Sequence, residues 1–265
     1  MTPLLGLAGA VRPGSCASTQ EIARSLAREG APEGTVVIAE TQTAGRGRPR
    51  RGDAGARSWH SPPGLGLWMS FVLRPRLDTA DWPALTAMTA LALAKAIEGL
   101  HPAAPRWSCA IKWPNDLYGH RGKLAGILAE TAGNAVVVGL GLNLALRAED
   151  FPPELRKRAT SLRLEGFDPV PTAEFAAAAM NERLTAAYLA FQNGDRDFLR
   201  EGLRARFLLR GARVRVTWPG GGAEGTAVDV GSAGELILKT AEGPRALVAG
   251  EVTAWSRAGA SHPDY

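Results

Sequence analysis

Cysteine and histidine are scarce in this sequence. Among 265 residues there are two cysteines, Cys16 and Cys109, and four dispersed histidines. Two thiols cannot build a disulfide framework, and neither residue type shows the spacing of a zinc site. These absences exclude a disulfide-stapled secreted domain and a His/Cys metal centre, and they favour a reducing, cytoplasmic setting.

Long hydrophobic runs are also missing. The first ten residues, MTPLLGLAGA, are mildly apolar but lack a basic flank and are too short to cross a bilayer. Hydrophobic residues make up 45% of the chain, which is ordinary for a globular protein with a real core. We therefore expect a soluble protein without a membrane segment.

Acidic residues are slightly outnumbered, by 31 Lys and Arg to 26 Asp and Glu, which gives a net charge of +5. An excess this small, mostly arginine scattered among alanine and glycine, indicates a polyanionic partner only weakly. Compositional bias explains it better than a nucleic-acid surface does. One cluster is denser, because five arginines fall within twelve residues: Arg46, Arg48, Arg50, Arg51 and Arg57.

Strand-like and helical segments alternate along the chain. Residues 18–146 are rich in strands and glycines, residues 150–207 are mostly helical, and residues 211–255 carry four short strands separated by Gly-rich turns. This order predicts an α/β or α+β sheet domain followed by a small barrel. The predicted helices start at Ser18 and at about 80, 172 and 195, and the predicted strands are 35–40, 65–75, 109–113, 123–131 and 135–144.

A glycine–arginine loop follows the first of these strands. Its core is Gly45-Arg46-Gly47-Arg48. Glycines let the backbone approach a ligand closely, and arginines supply fixed forks for phosphate or carboxylate. The loop therefore suits a nucleotide anion, although Gly and Arg are also common in plain basic linkers.

A second motif, Lys112-Trp113-Pro114-Asn115-Asp116, ends a strand in a turn. Asn115 can read a base or sugar edge, and Asp116 can hold Mg²⁺ through its carboxylate. The same three residues also favour an ordinary β-turn. Lys123 opens the next apolar strand, where it points either to an anionic ligand or into water.

A third motif, Gly139-x-Gly141-x-Asn143, lies in an apolar strand. It would admit a ligand close to the strand backbone, or it marks a bulged buried strand. Each signal is modest alone, but their order and spacing closely resemble the catalytic domain of biotin–protein ligases. The resemblance covers about residues 18–255, because the family also shows a Ser-Thr start, as at Ser18-Thr19, and a GKLAGIL strand, as at 122–128.

The resemblance implies an α+β fold: a mixed β-sheet flanked by helices, of the class II aminoacyl-tRNA synthetase type, with a small SH3-like β-barrel at the C-terminus. It implies a catalytic domain over 18–207 and a C-terminal domain over 208–257. Residues 1–17 are then an N-terminal extension and 258–265 a tail. With no residues for a helix-turn-helix before Ser18, we expect the form that does not bind DNA.

The implied reaction joins biotin to ATP as an adenylate and passes the biotinyl group to a lysine of a biotin carboxyl carrier domain. Both steps develop negative charge, so positioned cations should supply much of the rate. The implied catalytic residues are Lys123, which bridges the biotin carboxylate and the α-phosphate, Arg46, near the carboxylate and phosphate, and Arg48, on the phosphate side.

Further contacts follow from the same resemblance. Gln20 stands where the family usually has Asn, so its reach differs. The implied biotin contacts are Ser18, Thr19, Gln20, Gln42, Gly45, Arg46, Gly47, Arg48, Lys123, Gly126, Leu128 and Gly139; the ATP contacts are Arg48, Trp59, Asn115, Lys123 and Asn143; and the Mg²⁺ ligand is Asp116.

One segment departs from the family pattern. Ten residues, 49–58, separate Arg48 from Trp59, whereas the family needs about half as many. A longer loop predicts looser closure over the adenylate and faster leakage of it.

Other functions compete with this one. A lipoate–protein ligase would share the fold and the two-step chemistry, but the joint presence of the GRGR loop and the Lys-Trp-Pro-Asn-Asp turn favours biotin. A biotin-responsive repressor and a non-catalytic nucleotide- or nucleic-acid-binding protein are further alternatives. The latter predicts strong salt-dependent polyanion binding and no ATP–pyrophosphate exchange. The sequence leaves monomer and homodimer open.

Overall fold

The computed structural model describes residues 2–49, 56–102, 106–257 and 260–262. Within these ranges the chain forms four α-helices and fifteen β-strands. The helices are α1 (Thr19–Arg28), α2 (Ala84–Leu100), α3 (Ala173–Gln192) and α4 (Asp197–Ala205). The strands are β1 (Val11–Cys16), β2 (Val36–Gln42), β3 (Arg46–Pro49), β4 (Ala56–Ser58), β5 (Gly66–Leu73), β6 (Ala110–Lys112), β7 (Asp116–Tyr118), β8 (Lys123–Ala132), β9 (Ala135–Asn143), β10 (Arg213–Trp218), β11 (Gly221–Val230), β12 (Leu236–Thr240), β13 (Gly243–Leu247), β14 (Glu251–Arg257) and β15 (Ala260–His262).

The described part of the first domain contains a seven-stranded mixed sheet in the order β1-β2-β5-β9-β8-β7-β6. β1 and β2 run parallel, and each other neighbouring pair is antiparallel. The mixed sheet flanked by helices confirms the predicted fold class. No described helix has the length and apolarity needed to cross a bilayer.

Helices pack on both faces of this sheet. On β5, Met69 and Phe71 join the large core beneath α2 and α3, whereas Val72 packs with Ala23 and Ala27 of α1 on the opposite face. Covering both faces explains why β5 is apolar along nearly its whole length. α1 is short and covers only part of its face of the sheet. The candidate functional site occupies the rest of that face.

Within the predicted N-terminal extension, Val11–Cys16 forms an edge strand of the sheet, which the sequence analysis did not predict. Pro13 and Gly14 hide it in the sequence, since both residues are rare in strand interiors. An edge strand tolerates proline because one row of its backbone groups lacks a strand partner. The register with β2 shifts around Gly14, as expected for such a strand.

The chain before β1 is clamped to α3. The side-chain amide of Asn181 donates from Nδ2 to the Leu5 carbonyl (3.0 Å) and accepts the Leu5 N–H at Oδ1 (2.9 Å). The Leu4 N–H donates to Thr185 Oγ1 at 2.9 Å. Asn181 and Leu5 are both buried, so water cannot replace these bonds.

Replacing Asn181 by Ala is expected to lower the free energy of unfolding by about 2–4 kcal/mol, because two buried backbone groups of Leu5 lose their partners. Urea unfolding followed by far-UV circular dichroism measures the change. The neighbouring exposed variant Glu182→Ala is the control and should shift stability by less than about 0.5 kcal/mol. Equal shifts in the two variants would contradict a clamp at Leu5.

The C-terminal domain is an antiparallel sheet, with six strands in the part of the chain described here, rather than the four predicted. The predicted strand RALVAGEV divides into β13 and β14, with Gly250 at φ +146° between them. The predicted tail contributes β15, which pairs with β14. Trp113 Nε1 donates to the Gly234 carbonyl at 2.9 Å and so fixes the β6–β7 turn against this domain.

Candidate active site

An irregularity in β8 aims Lys123 into the site. Leu117 pairs with Ala125, but Tyr118 pairs with Lys123, so the register skips Leu124. In an unbroken strand Lys123 and Gly126 would project from opposite faces, because side chains alternate. The skipped residue places them on the same face, where both line one cavity.

Two adjoining cavities meet at Lys123. The small cavity, about 60 Å³, lies over β8, β9 and the start of α1. The large cavity, about 240 Å³, extends from there to Glu251 and Val252 of the C-terminal domain. The residues shared by the two linings are Gly47, Arg48, Trp59, Asn115, Asp116 and Lys123.

The large cavity is electropositive. Four basic and two acidic side chains are among its lining residues, and this balance favours an anionic ligand. The charged residues are Arg48, Lys112, Lys123, Arg158, Asp116 and Glu251.

Lys123 is held at the junction by two neighbours. Its Nζ lies 2.8 Å from Asp116 Oδ1 and 5.2 Å from the centre of a Trp59 ring. The Lys123 and Asp116 side chains are 29% and 17% exposed, so water weakens their attraction only in part. The ammonium is therefore fixed in position where the two cavities join.

A chain of hydrogen bonds lines the small cavity. Gln20 Oε1 accepts from Ser70 Oγ (3.1 Å), and Ser70 Oγ lies 2.9 Å from Thr19 Oγ1. The Thr19 N–H donates to Gln42 Oε1 (2.9 Å), and Gln42 Nε2 donates to Ser61 Oγ (3.0 Å). These bonds fix the orientation of both glutamine amides.

The same bonds leave specific donors for a ligand. Ser18 Oγ caps α1 by accepting the Gln20 N–H at 3.3 Å, and in the described part of the chain its own proton is not donated to another group. Within the described residues, Gln42 Nε2 donates one of its two hydrogens, to Ser61. A ligand carbonyl oxygen in the small cavity could therefore accept from both Ser18 and Gln42.

Glycines give the small cavity a flat floor. Gly126 of β8 pairs with Gly141 of β9, and paired residues project from the same face. The Trp59 indole lies in the resulting slot, because a Cβ on Gly141 would stand 2.4 Å from Trp59 Nε1. A Cβ on Gly139 would stand 2.6 Å from Gln20 Oε1. Side chains at these positions would fill the slot.

The two loop arginines point to different places. Arg48 Nη1 donates to the Gly250 carbonyl at 3.0 Å, next to the large cavity. Burial lowers the pKa of Arg48, while Asp116 and Glu251 act to raise it. Arg46 instead forms ion pairs with Glu130 (3.5 Å) and Glu21 (3.8 Å).

Comparisons with known proteins identify the family. The sequence profile of the biotin/lipoate A/B protein ligase family matches residues 15–144, and that of the biotin protein ligase C terminal domain matches residues 211–254. The bifunctional ligase/repressor BirA of Bacillus spizizenii is 34% identical over 89% of this chain and 70% of its own length. The chain belongs to the biotin protein ligase family.

Other members of the family are similarly close. The biotin–[acetyl-CoA-carboxylase] ligase of Mycobacterium tuberculosis is 36% identical over 83% of this chain and 79% of its own length. The Aquifex aeolicus biotin protein ligase, solved in complex with biotin and ATP, is 26% identical. It superposes with a TM-score of 0.77 over 93% of this chain and 97% of that one.

Most residues that the family resemblance assigns do meet at the two cavities. Gly45 is the exception: it is buried behind the loop and its carbonyl accepts the Trp59 N–H at 2.8 Å. Asn115 Nδ2 donates to the Ile127 carbonyl (2.8 Å), and Asn143 Nδ2 to the Thr160 carbonyl (2.9 Å). The lining residues among the assignments are Ser18, Thr19, Gln20, Gln42, Arg46, Gly47, Arg48, Trp59, Asn115, Asp116, Lys123, Gly126, Leu128, Gly139 and Asn143.

Sequence reasoning missed three polar residues of this ligase site. Ser70 was overlooked in the buried run GLWMSFVL. As the single hydroxyl residue in that apolar strand, it could have been recognised as a candidate polar contact. Ser61 and Glu130 carry no local pattern, because only the fold brings them to Gln42 and Gln20. Most of the lengthened loop, residues 50–55, lies outside the described residues.

Proposed function

We propose that this chain is a biotin–protein ligase that forms biotinyl-5′-AMP from biotin and ATP and biotinylates a lysine of a biotin carboxyl carrier domain. One observation carries the proposal: a glycine-floored polar cavity and a larger electropositive cavity join at Lys123. Two substrates bound in them would meet at a fixed ammonium. The relatives named as biotin–[acetyl-CoA-carboxylase] ligases support biotin over lipoate.

In the first step a biotin carboxylate oxygen attacks the α-phosphorus of ATP. A C–O–P anhydride forms between the carboxylate and the α-phosphorus. The bond between the α-phosphorus and the oxygen that bridges to the β-phosphate breaks, and pyrophosphate leaves with the electron pair. Lys123 would contact both the carboxylate and the α-phosphate, and it would stabilise the negative charge that develops between them. Arg48 would bind the phosphate from the side of the C-terminal domain.

In the second step the neutral amine of the acceptor lysine attacks the acyl carbon of the adenylate. An amide forms, the C–O bond to phosphate breaks, AMP leaves, and the nitrogen loses a proton to solvent. Holding the anhydride rigid between the two cavities would supply orientation, which accounts for much of the rate in such transfers.

The small cavity fits the bicyclic ring of biotin. The ureido carbonyl oxygen would accept from the Ser18 hydroxyl and the free Gln42 amide hydrogen, both held by the network described above. The thioether ring and tail are apolar and thin, and they would lie on Gly139 and Leu128, beside the Trp59 indole that packs on Gly126. Trp59 would cover the ligand from the loop side.

The large cavity fits ATP. Asn115, Asn143 and Trp59 line it together with the basic side chains that favour phosphate. The side-chain amides of Asn115 and Asn143 each donate to a backbone carbonyl, so hydrogen bonding fixes the orientation of both amides in the cavity. The C-terminal strand β14 supplies one wall through Glu251 and Val252.

Asp116 fits a role in Mg²⁺ binding. Its Oδ1 is buried and, apart from the Lys123 ion pair, forms no hydrogen bond within the described residues. No group of three or more His, Cys, Asp or Glu side chains there could hold a metal alone. Mg²⁺ is commonly held by one or two carboxylates plus substrate phosphates. When bound, it would neutralise charge on the triphosphate.

The test mixes the purified protein with ATP, Mg²⁺, biotin and a biotin carboxyl carrier domain. Intact mass spectrometry should show one biotinyl group on the carrier. Label from lipoate but not from biotin would move the protein to the sister activity. Absence of both, with salt-dependent polyanion binding, would instead support the non-catalytic alternative.

We also propose a reducing, cytoplasmic location. Cys16 and Cys109 are free thiols, and burial raises the pKa of both, helped by Glu21 at Cys16 and by Glu98 at Cys109. Such thiols are poor nucleophiles at neutral pH. Homodimerisation and the absence of DNA binding stay predictions from the sequence.

Replacing Arg48 by Ala is expected to speed release of the adenylate about tenfold, because the loop loses its charge-assisted bond to the Gly250 carbonyl. Rapid filtration of enzyme loaded with radiolabelled adenylate measures the release rate. Arg215→Ala, an exposed arginine of the C-terminal sheet, is the control. Unchanged release from the Arg48 variant would show that this bond does not retain the loop.

A further inference from the structure

Two oppositely charged side chains close one end of the small cavity. Arg46, which lines the cavity, places Nη2 3.5 Å from Glu130 Oε1 and Nη1 3.8 Å from Glu21 Oε1. Arg24 Nη1 also lies 3.5 Å from Glu130 Oε1. Two guanidinium groups therefore face two carboxylates, and the cluster carries no net charge that would attract a phosphate.

This cluster lies at the opposite end of the cavity from Lys123. Lys123 and Glu130 are the first and eighth residues of β8, so their Cα atoms stand roughly 20 Å apart along the strand. The Lys123 ammonium is bonded at its own end, to Asp116. The ion pair with Glu130 thus holds the Arg46 guanidinium near the Glu130 end of β8, whereas the sequence analysis expects it beside the carboxylate and phosphate at the Lys123 end.

Glu130 has a second contact, with the amide at the base of the cavity. Its Oε2 accepts from Gln20 Nε2 at 3.1 Å, and that nitrogen also donates to the Val137 carbonyl at 3.1 Å. The Gln20 Oε1 is thereby turned toward Ser70, the next member of the hydrogen-bond chain. Glu130 joins the loop arginine to the polar network.

We infer that Arg46 and Glu130 form an ion pair that caps the ring end of the biotin cavity, so that Arg46 acts in biotin binding and not on the phosphate. Glu130 is a positioning residue, which holds both Arg46 and the Gln20 amide. The inference rests on the proposed function, because it assigns the small cavity to the biotin ring.

The variants separate ring binding from chemistry. Arg46→Ala should raise the biotin KM about tenfold, while kcat and the ATP KM stay within about twofold. Glu130→Ala should raise the biotin KM to a similar extent. Glu130→Gln should raise it only about threefold, because the amide oxygen still accepts from Gln20 while the charge is lost.

The controls use an ion pair of the same separation elsewhere. Arg12 and Glu174 lie 3.5 Å apart at the surface, so Arg12→Ala and Glu174→Gln should leave all three constants unchanged. The Arg46→Ala, Glu130→Gln double variant should show less than the sum of the two effects. If Arg46→Ala does not fold, Arg46→Gln serves for the same measurement.

The outcomes are distinguishable from failure of the proposed function. Carrier labelling by the unmodified protein tests that function directly. If the unmodified protein labels the carrier and Arg46→Ala lowers kcat tenfold at unchanged biotin KM, Arg46 acts at the phosphate and the inference is overturned. Equal KM values for Glu130→Gln and Glu130→Ala would likewise reject the role of Glu130 in orienting Gln20.

Discussion

Replacing Lys123 by Ala is expected to lower the rate of adenylate formation about 10²–10³-fold, the usual loss when one preorganised charge-stabilising donor is removed. Lys123 lines both cavities where they join, and its ammonium is fixed by Asp116 at 2.8 Å. Biotin-dependent ATP–pyrophosphate exchange measures this step alone, without the carrier.

The structure supplies the controls for that experiment. Lys95→Ala changes an exposed lysine of α2 and should leave exchange unaltered. Because Lys123→Ala leaves the Asp116 carboxylate without its cation, urea unfolding of Lys123→Ala and of the double variant Lys123→Ala, Asp116→Asn shows whether the single variant has a folding defect. Exchange within about threefold of the unmodified protein would remove Lys123 from the mechanism.

Replacing Gly139 by Ala is expected to raise the biotin KM about 100-fold or more, since it damages the polar network and narrows the cavity together. The new Cβ would stand 2.6 Å from Gln20 Oε1 and 3.4 Å from Ser70 Oγ. Moving the Gln20 side chain away would break buried hydrogen bonds, because its amide is bonded to Glu130, Val137 and Ser70.

Isothermal titration with biotin and steady-state kinetics measure this effect. Gly99→Ala is the matched control, because a Cβ there meets nothing within 4 Å and the residue is helical. Alanine in a helix should stabilise it by about 0.5–1 kcal/mol. The ATP KM should stay unchanged in both variants. Normal biotin affinity in Gly139→Ala would place the ring away from Gln20.

Local signals in the sequence were enough for most helices and strands. Ser18 was predicted to cap the first helix and does so, by accepting the Gln20 N–H. The apolar runs of β5, β8 and β9 were predicted as strands, and the structure confirms them. These runs are apolar because helices cover both faces of the sheet. β1 was not predicted, because Pro13 and Gly14 argue against a strand. The structure shows that β1 is an edge strand, where both residues are tolerated.

Motif order in the sequence was also enough to identify the family and to bring most of the assigned residues to one place. The ion-pair partners of Arg46 could not be predicted in this way, because a loop residue can pair with any carboxylate within reach. Its partners Glu21 and Glu130 lie 25 and 84 residues away in the chain, and no spacing rule connects them. The same holds for Ser61 and Gln42.

The sequence by itself determined which residue types are present and the periods in which they occur, because propensity and patterning act over a few neighbouring residues. The tertiary structure alone decided which face of β8 Lys123 occupies, since a single skipped residue reverses the alternation of the strand. It also decided that Trp113 and Arg48 would bind the C-terminal domain. Such contacts depend on how two domains pack, which is a property of surfaces far apart in the chain.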